Sequence, residues 1–237
     1  MISTFKDISE LSQYAARSFI GIANKAIEER GRFLVALSGG STPMRLYELL
    51  GNQFHNEVDW SRVHFFWGDE RCVPVDDAGN SYGQTKKVLF DKIGKTNIHR
   101  VNSDLAPDSA ATDYADTLKV FSVPPLNWPR FDLVLLGMGD DGHTASLFPN
   151  SPVDVTTPTL AVTANYQDRP ANRVTLTQLV INDAREVWFM VAGKSKAETL
   201  LNVLDGAYKP KLYPAQRIKP SDGNLVWMID EEAASLL

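Results

Sequence analysis

The chain has a single cysteine, Cys72, among 237 residues, so it can form no intrachain disulfide and suits a reducing compartment. It has no excess of basic charge: 24 Lys and Arg stand against 29 Asp and Glu, for a net charge of −5. General attraction to nucleic acid or to an anionic membrane is therefore excluded, and an anionic ligand must be held by locally placed cations. No apolar run approaches the ~20 residues of a membrane-spanning helix, and the opening MISTFKDISELSQ lacks a signal-peptide core. No His/Cys/Glu cluster has metal-ligand spacing, which leaves no metal site to expect, and no G-x-S-x-G nucleophile elbow occurs. Repeats and low-complexity tracts are missing too. The expectation is a cytoplasmic protein forming one α/β domain over residues 1–237.

What is present is an alternation of helical and strand patterns. Apolar residues from Ile8 to Ile27 recur at helical spacing after Asp7, which with Glu10 can form a capping-box-like start. Phe33–Leu37 reads as a strand, followed by the turn Ser38-Gly39-Gly40-Ser41-Thr42 and a short helix with Pro43 at its first position, ended by Gly51. Val63–Trp67 is a second strand, closed by a polar loop, Gly68-Asp69-Glu70-Arg71. Helices are expected over 82–90 and 109–120. Further strands follow at 132–136, 160–163, 173–177, 186–192 and 225–229, with a helix over 195–204 and a short one at the end. The strands are continuous apolar runs, which predicts a mostly parallel sheet with helices on both faces, a Rossmann-like arrangement.

The most informative stretch is DLVLLGMGDDGHTASLFP, residues 132–149. A buried strand runs into a glycine-rich turn carrying Asp140, Asp141 and His143, and such turns at the carboxyl ends of parallel strands hold the sites of α/β proteins. His143 is the one histidine so placed, a candidate general base, and Asp141 can orient its imidazole. Gly137 to Gly142 also satisfies the dinucleotide fingerprint G-x-G-x-x-G. Two adjacent carboxylates would repel a pyrophosphate there, so a nicotinamide or flavin cofactor is not expected.

The turn Ser38–Thr42 offers small residues, free N–H groups, hydroxyls and a helix N-terminus, which together suit a phosphate. Arg71 and Lys194 each follow a strand, and in a parallel sheet both fall on the same edge as that turn; Arg173, opening the strand at 173, is a third cation for the same anion. Gly193-Lys194-Ser195 is not a P-loop, because Trp188 stands where its first glycine belongs. Cys72 beside Arg71 can have a lowered pKa, but no base or partner motif accompanies it.

Taken together, ALSGGSTP (36–43), FWGDERCVP (66–74) and LGMGDDGHTASLFP (136–149) resemble the 6-phosphogluconolactonases, and RVTLT and AGKSKAE extend the likeness over nearly the whole chain. The resemblance implies the phosphosugar isomerase/deaminase fold and no metal or organic cofactor. It also implies hydrolysis of 6-phospho-D-glucono-1,5-lactone to 6-phospho-D-gluconate in the oxidative pentose phosphate pathway. It makes His143 the catalytic base and puts Arg71 and Lys194 near the phosphate. Glucosamine-6-phosphate deaminases, the alternative on this fold, carry a catalytic glutamate five residues after the histidine, where this chain has Phe148. A non-catalytic phosphosugar-binding domain is the other alternative; it needs neither His143 nor Asp141. The expected partner is a small phosphosugar lactone, with no nucleic acid or membrane.

Overall fold

The computed structural model describes all residues, 1–237. Along the chain run β1 (Ile2–Phe5), α1 (Ile8–Arg30), β2 (Phe33–Leu37), α2 (Ser41–Asn52), β3 (Val63–Trp67), β4 (Asp69–Arg71), α3 (Ser81–Thr85) and β5 (Asn97–Ile98). They are followed by α4 (Pro107–Lys119), β6 (Leu133–Leu136), β7 (Thr159–Thr163), β8 (Asn172–Leu176), α5 (Gln178–Asn182), β9 (Glu186–Val191), α6 (Ala197–Leu204) and β10 (Asn224–Asp230).

Seven strands form one sheet in the order β1-β10-β9-β6-β2-β3-β5, every pair parallel. The chain winds outward from β2 through β3 to β5, then returns to the other side of β2 at β6. The sheet therefore changes winding direction between β2 and β6, and a crevice opens there beyond the strand carboxyl ends. All five residues of β2 and all four of β6 are buried, which is why both read as unbroken apolar runs. Alternate side chains go to opposite faces. Val35, Leu37, Phe65 and Trp67 pack with Phe19 of α1 and Leu46 of α2, whereas Ala36, Phe66, Val134 and Leu136 pack with Tyr114 of α4 and Leu200 of α6.

Several local expectations are corrected. Asp7 does cap α1, accepting from the N–H groups of Ser9 and Glu10, and Gly31 ends it at φ 74°, but Glu10 reaches back to the Lys6 N–H. Helix α2 starts two residues early, at Ser41, so Pro43 is its third residue. Gly51 does not end that helix; it lies inside it, where a Cβ would sit 2.4 Å from the Val88 carbonyl oxygen. The helix over 82–90 is a short α3 followed by a wider turn over Lys86–Phe90. Residues 231–236 form turns rather than a helix. Strands β1 and β5 were not expected; both are edge strands, short and only partly buried.

The larger correction is a second, antiparallel sheet in the order β4-β8-β7. The polar segment after β3 is strand β4, not a loop, and the strand at 173 joins it there rather than in the parallel sheet. Gly68 links the two sheets, donating to the Leu37 carbonyl at 2.8 Å and accepting from the Leu176 N–H at 2.7 Å. Glu70 holds β4 inside the fold: its buried carboxylate accepts from the N–H groups of Ser81, Tyr82 and Arg71, all at 2.8 Å. Burial pushes this carboxyl above its usual range against the pull of those three donors.

Candidate active site

The crevice between β2 and β6 is an open cavity of about 160 Å³. Its floor comes from Ser38, Gly39, Gly40, Ser41 and Thr42 on one side and from the glycine turn Gly137, Met138 and Gly139 on the other. The end of β2 is clamped: the fully buried Tyr47 hydroxyl accepts from the Ser38 N–H at 3.0 Å and donates to the Ser38 carbonyl at 2.8 Å. Tyr114 does the same for Trp67 at the end of β3. Gly40 has φ 102°, a conformation that requires glycine, and a Cβ on Gly39 would fall 2.5 Å from the Ser81 Oγ. The first hydrogen bond within α2 runs from Met44 to Gly40, so the amides of Ser41 and Thr42 have no intrahelical acceptor. This end of the helix carries partial positive charge.

Arg71 and Arg173 lie directly opposite each other in the β4–β8 pair, and both are buried and line the cavity. Like charges in such a register repel, and neither guanidinium pairs with a carboxylate. Arg71 Nη1 donates to the Gly79 carbonyl at 2.7 Å and Arg173 Nε to the Pro170 carbonyl at 3.1 Å, while Arg71 Nε and Arg173 Nη2 have no partner. Burial, joined by the charges of Arg71 and Arg169, draws the Arg173 pKa below its usual value against the opposing pull of Asp69. Two desolvated cations beside free amides are the complement of a phosphate dianion.

Lys194, expected to join them, is exposed and lies outside the cavity lining. Lys196, two residues on, faces the cavity and forms an ion pair with Asp140 at 2.5 Å. Tyr166, Gln167 and Arg169 also line the cavity. None of them was singled out in the sequence, because they come from the β7–β8 connection, outside the parallel sheet. Cys72 is half-buried, and burial together with the Glu70 charge raises its thiol pKa, the reverse of activation.

His143 and Asp141 meet as the sequence spacing suggested. His143 Nδ1 is 2.6 Å from Asp141 Oδ1, and the same oxygen accepts the His143 backbone N–H at 3.1 Å. Because an ionised carboxylate only accepts, Nδ1 carries the proton, and in the neutral imidazole the lone pair is therefore on Nε2. The imidazole packs against Phe148 at 4.4 Å and edge-on against Tyr166 at 4.6 Å, centroid to centroid. Burial raises the Asp141 carboxyl pKa, but the hydrogen bond and charge of His143 outweigh it, so the net position is below the usual carboxylate value. A Cβ on Gly139 would sit 2.1 Å from His143 Nδ1 and 2.6 Å from Asp141 Oδ1, so glycine is required for the pair to form.

No helix follows this turn, so the dinucleotide fingerprint lacks the helix N-terminus it needs. Four of the turn's amides are committed. Gly139 donates to the His143 carbonyl, Gly142 to the Gly139 carbonyl, His143 to Asp141 and Asp140 to the Tyr166 hydroxyl. The other histidines stand elsewhere: His55 is exposed, and His64 and His99 stack on one another beside Phe121. No helix is long and apolar enough to cross a membrane.

A family model described as glucosamine-6-phosphate isomerases/6-phosphogluconolactonase matches residues 6–227. The chain is 41% identical over 217 residues to a 6-phosphogluconolactonase of Synechocystis, covering 90% of this chain and 88% of the other. A solved 6-phosphogluconolactonase from Trypanosoma brucei superposes with TM-score 0.86 at 29% identity, covering 100% of this chain and 98% of that one. A solved monomeric glucosamine-6-phosphate deaminase gives TM-score 0.85 at 22% identity, covering 100% and 99%, a likeness of fold alone.

Proposed function

The chain belongs to the glucosamine-6-phosphate isomerase/6-phosphogluconolactonase family, and from that premise we propose how its residues divide the work of a phosphosugar lactone hydrolase. The reaction is hydrolysis of 6-phospho-D-glucono-1,5-lactone to 6-phospho-D-gluconate, a step of the oxidative pentose phosphate pathway. One observation carries the reading. A single cavity is lined by a carboxylate-oriented imidazole, a Ser-Gly-Gly-Ser-Thr turn with free amides and two buried arginines that pair with no carboxylate.

In this reading the phosphate of the substrate is held by the Ser38–Thr42 amides and hydroxyls with Arg71 and Arg173. Lys196 keeps the β9 end of the cavity in place through Asp140. The anchored phosphate sets the lactone carbonyl beside His143. Nε2 of the neutral imidazole accepts a proton from water as the water oxygen bonds to C1, general-base assistance typically worth ~10²–10⁴-fold. Asp141 stays ionised and stabilises the imidazolium. On collapse the C1–ring oxygen bond breaks, and the imidazolium returns its proton to the departing oxygen.

The deaminase alternative is disfavoured by Phe148. Its ring packs on His143 and lies 5.2 Å under the Arg173 guanidinium, so a flat apolar side chain stands where that chemistry needs a carboxylate. A binding-only role would leave the His143–Asp141 pair without use. The single cysteine, one half-buried thiol, supports a cytoplasmic setting. The test is a coupled assay with freshly generated 6-phosphogluconolactone beside glucosamine 6-phosphate, with spontaneous hydrolysis subtracted. Enzymatic turnover of the lactone alone is expected, and release of ammonia from the amino sugar would overturn the reading.

A further inference from the structure

We propose that the Tyr166 hydroxyl is a further catalytic group, the donor that stabilises the lactone carbonyl oxygen as it becomes an oxyanion; this rests on the hydrolytic reading above. Its hydrogen bonds determine its role. The hydroxyl accepts from the Asp140 backbone N–H at 3.3 Å and from Gln167 Nε2 at 3.0 Å. The Gln167 amide has only one possible orientation, since the same Nε2 is 3.0 Å from Asp140 Oδ2, and an ionised carboxylate can only accept. Both lone pairs of the tyrosine oxygen are thereby used, its own proton has no acceptor in the protein, and the side chain lines the cavity beside His143. The O–H is left to donate into the cavity.

The chemistry leaves one oxygen for it. Three oxygens meet at C1 in the tetrahedral intermediate. His143 carries a single proton from the attacking water to the ring oxygen, so it serves two of them. The third, the former carbonyl oxygen, takes the π pair when the new C–O bond forms and returns it when the ring bond breaks. It needs a donor but no proton. Tyr166 fits because it keeps its proton throughout; burial, reinforced by the Asp140 and Asp141 charges, holds its pKa above the usual phenol value. Within the glycine turn the amides of Gly139, Gly142 and His143 are committed to acceptors of the turn itself, and that of Asp140 is spent on the Tyr166 hydroxyl.

The test is Tyr166→Phe, which keeps the ring against His143 and removes only the O–H. With 6-phosphogluconolactone, kcat should fall about 10²–10³-fold, the usual effect of losing one oxyanion donor. KM, 6-phosphogluconate binding and the midpoint of the pH–kcat/KM profile should stay as in the wild type. A kcat within threefold of wild type would overturn the inference while leaving lactone hydrolysis by His143 intact. A fall accompanied by a shifted pH midpoint would overturn it too, since Tyr166 would then be acting through the imidazole. Loss of 6-phosphogluconate binding would likewise refute a donor role. Failure of the underlying reading is separate: it appears as a wild-type protein that does not hydrolyse the lactone.

Discussion

Replacing Gly139 with alanine should disable the catalytic pair without touching the phosphate cradle. The added Cβ would lie 2.1 Å from Nδ1 and 2.2 Å from Cε1 of His143 and 2.6 Å from Oδ1 of Asp141. Comfortable contacts between such atoms are ~3.5–4.0 Å, so both side chains must retreat by roughly 1 Å or more. A misplacement of that size typically costs ~10²-fold in rate, and complete loss of the base ~10²–10⁴-fold. Overpacking of a filled site adds ~1–3 kcal/mol of destabilisation. The lower end applies here, because Asp141 is about a third exposed and can swing outward. The assay reads 6-phosphogluconate formation after subtraction of spontaneous hydrolysis, alongside calorimetric binding of 6-phosphogluconate. A kcat reduced at least a hundredfold with product affinity nearly unchanged is expected. A variant retaining more than about a third of wild-type kcat would show that the Cβ is accommodated and that the pair does not set the rate.

Arg71→Ala and Arg173→Ala should raise KM for the phosphorylated lactone roughly ten- to a hundredfold, as expected for a charge-assisted bond of ~1.5–3 kcal/mol. Unphosphorylated gluconolactone should be affected far less, and Lys194→Ala should change neither; steady-state kinetics on both substrates distinguishes these outcomes. Asp141, whose folded-state pKa is depressed, stabilises the fold above its unfolded value, near about 4, and loses that contribution as pH falls through the lower folded value. The melting-temperature advantage of wild type over Asp141→Asn should therefore be present at about pH 6 and shrink below about pH 4. An advantage that grew on acidification would reverse the sign of this linkage.

The parts of the site written by local pattern were legible in the sequence. Strand β2 with its glycine turn, and β6 with Asp141 and His143, are runs of apolar residues broken by glycine, and parallel packing puts their ends together. What escaped depends on contacts across the fold. Asp69-Glu70-Arg71 is polar and reads as a loop; only the three amides that converge on Glu70 make it a buried strand. That strand brings Arg71 opposite Arg173, a pairing that parallel-sheet reasoning could not give. Lys194 and Lys196 are two residues apart on a tight turn, and the sequence does not say which of them faces the cavity. Tyr166 arrives from the tip of the β7–β8 hairpin, with no glycine or charge pattern to mark it. Tyr47 and Tyr114 resemble ordinary core aromatics until their hydroxyls are seen to clamp the ends of β2 and β3.

The central claim is that the His143 imidazole, oriented by Asp141, activates water at the lactone carbonyl. Single-turnover hydrolysis of 6-phosphogluconolactone by His143→Asn, a variant that keeps size and polarity but has no base, tests it most directly. The account predicts a rate constant at least about a hundredfold below wild type, consistent with loss of a general base, with 6-phosphogluconate still bound through the cradle. A variant that hydrolyses the lactone at more than about a tenth of the wild-type rate would contradict it.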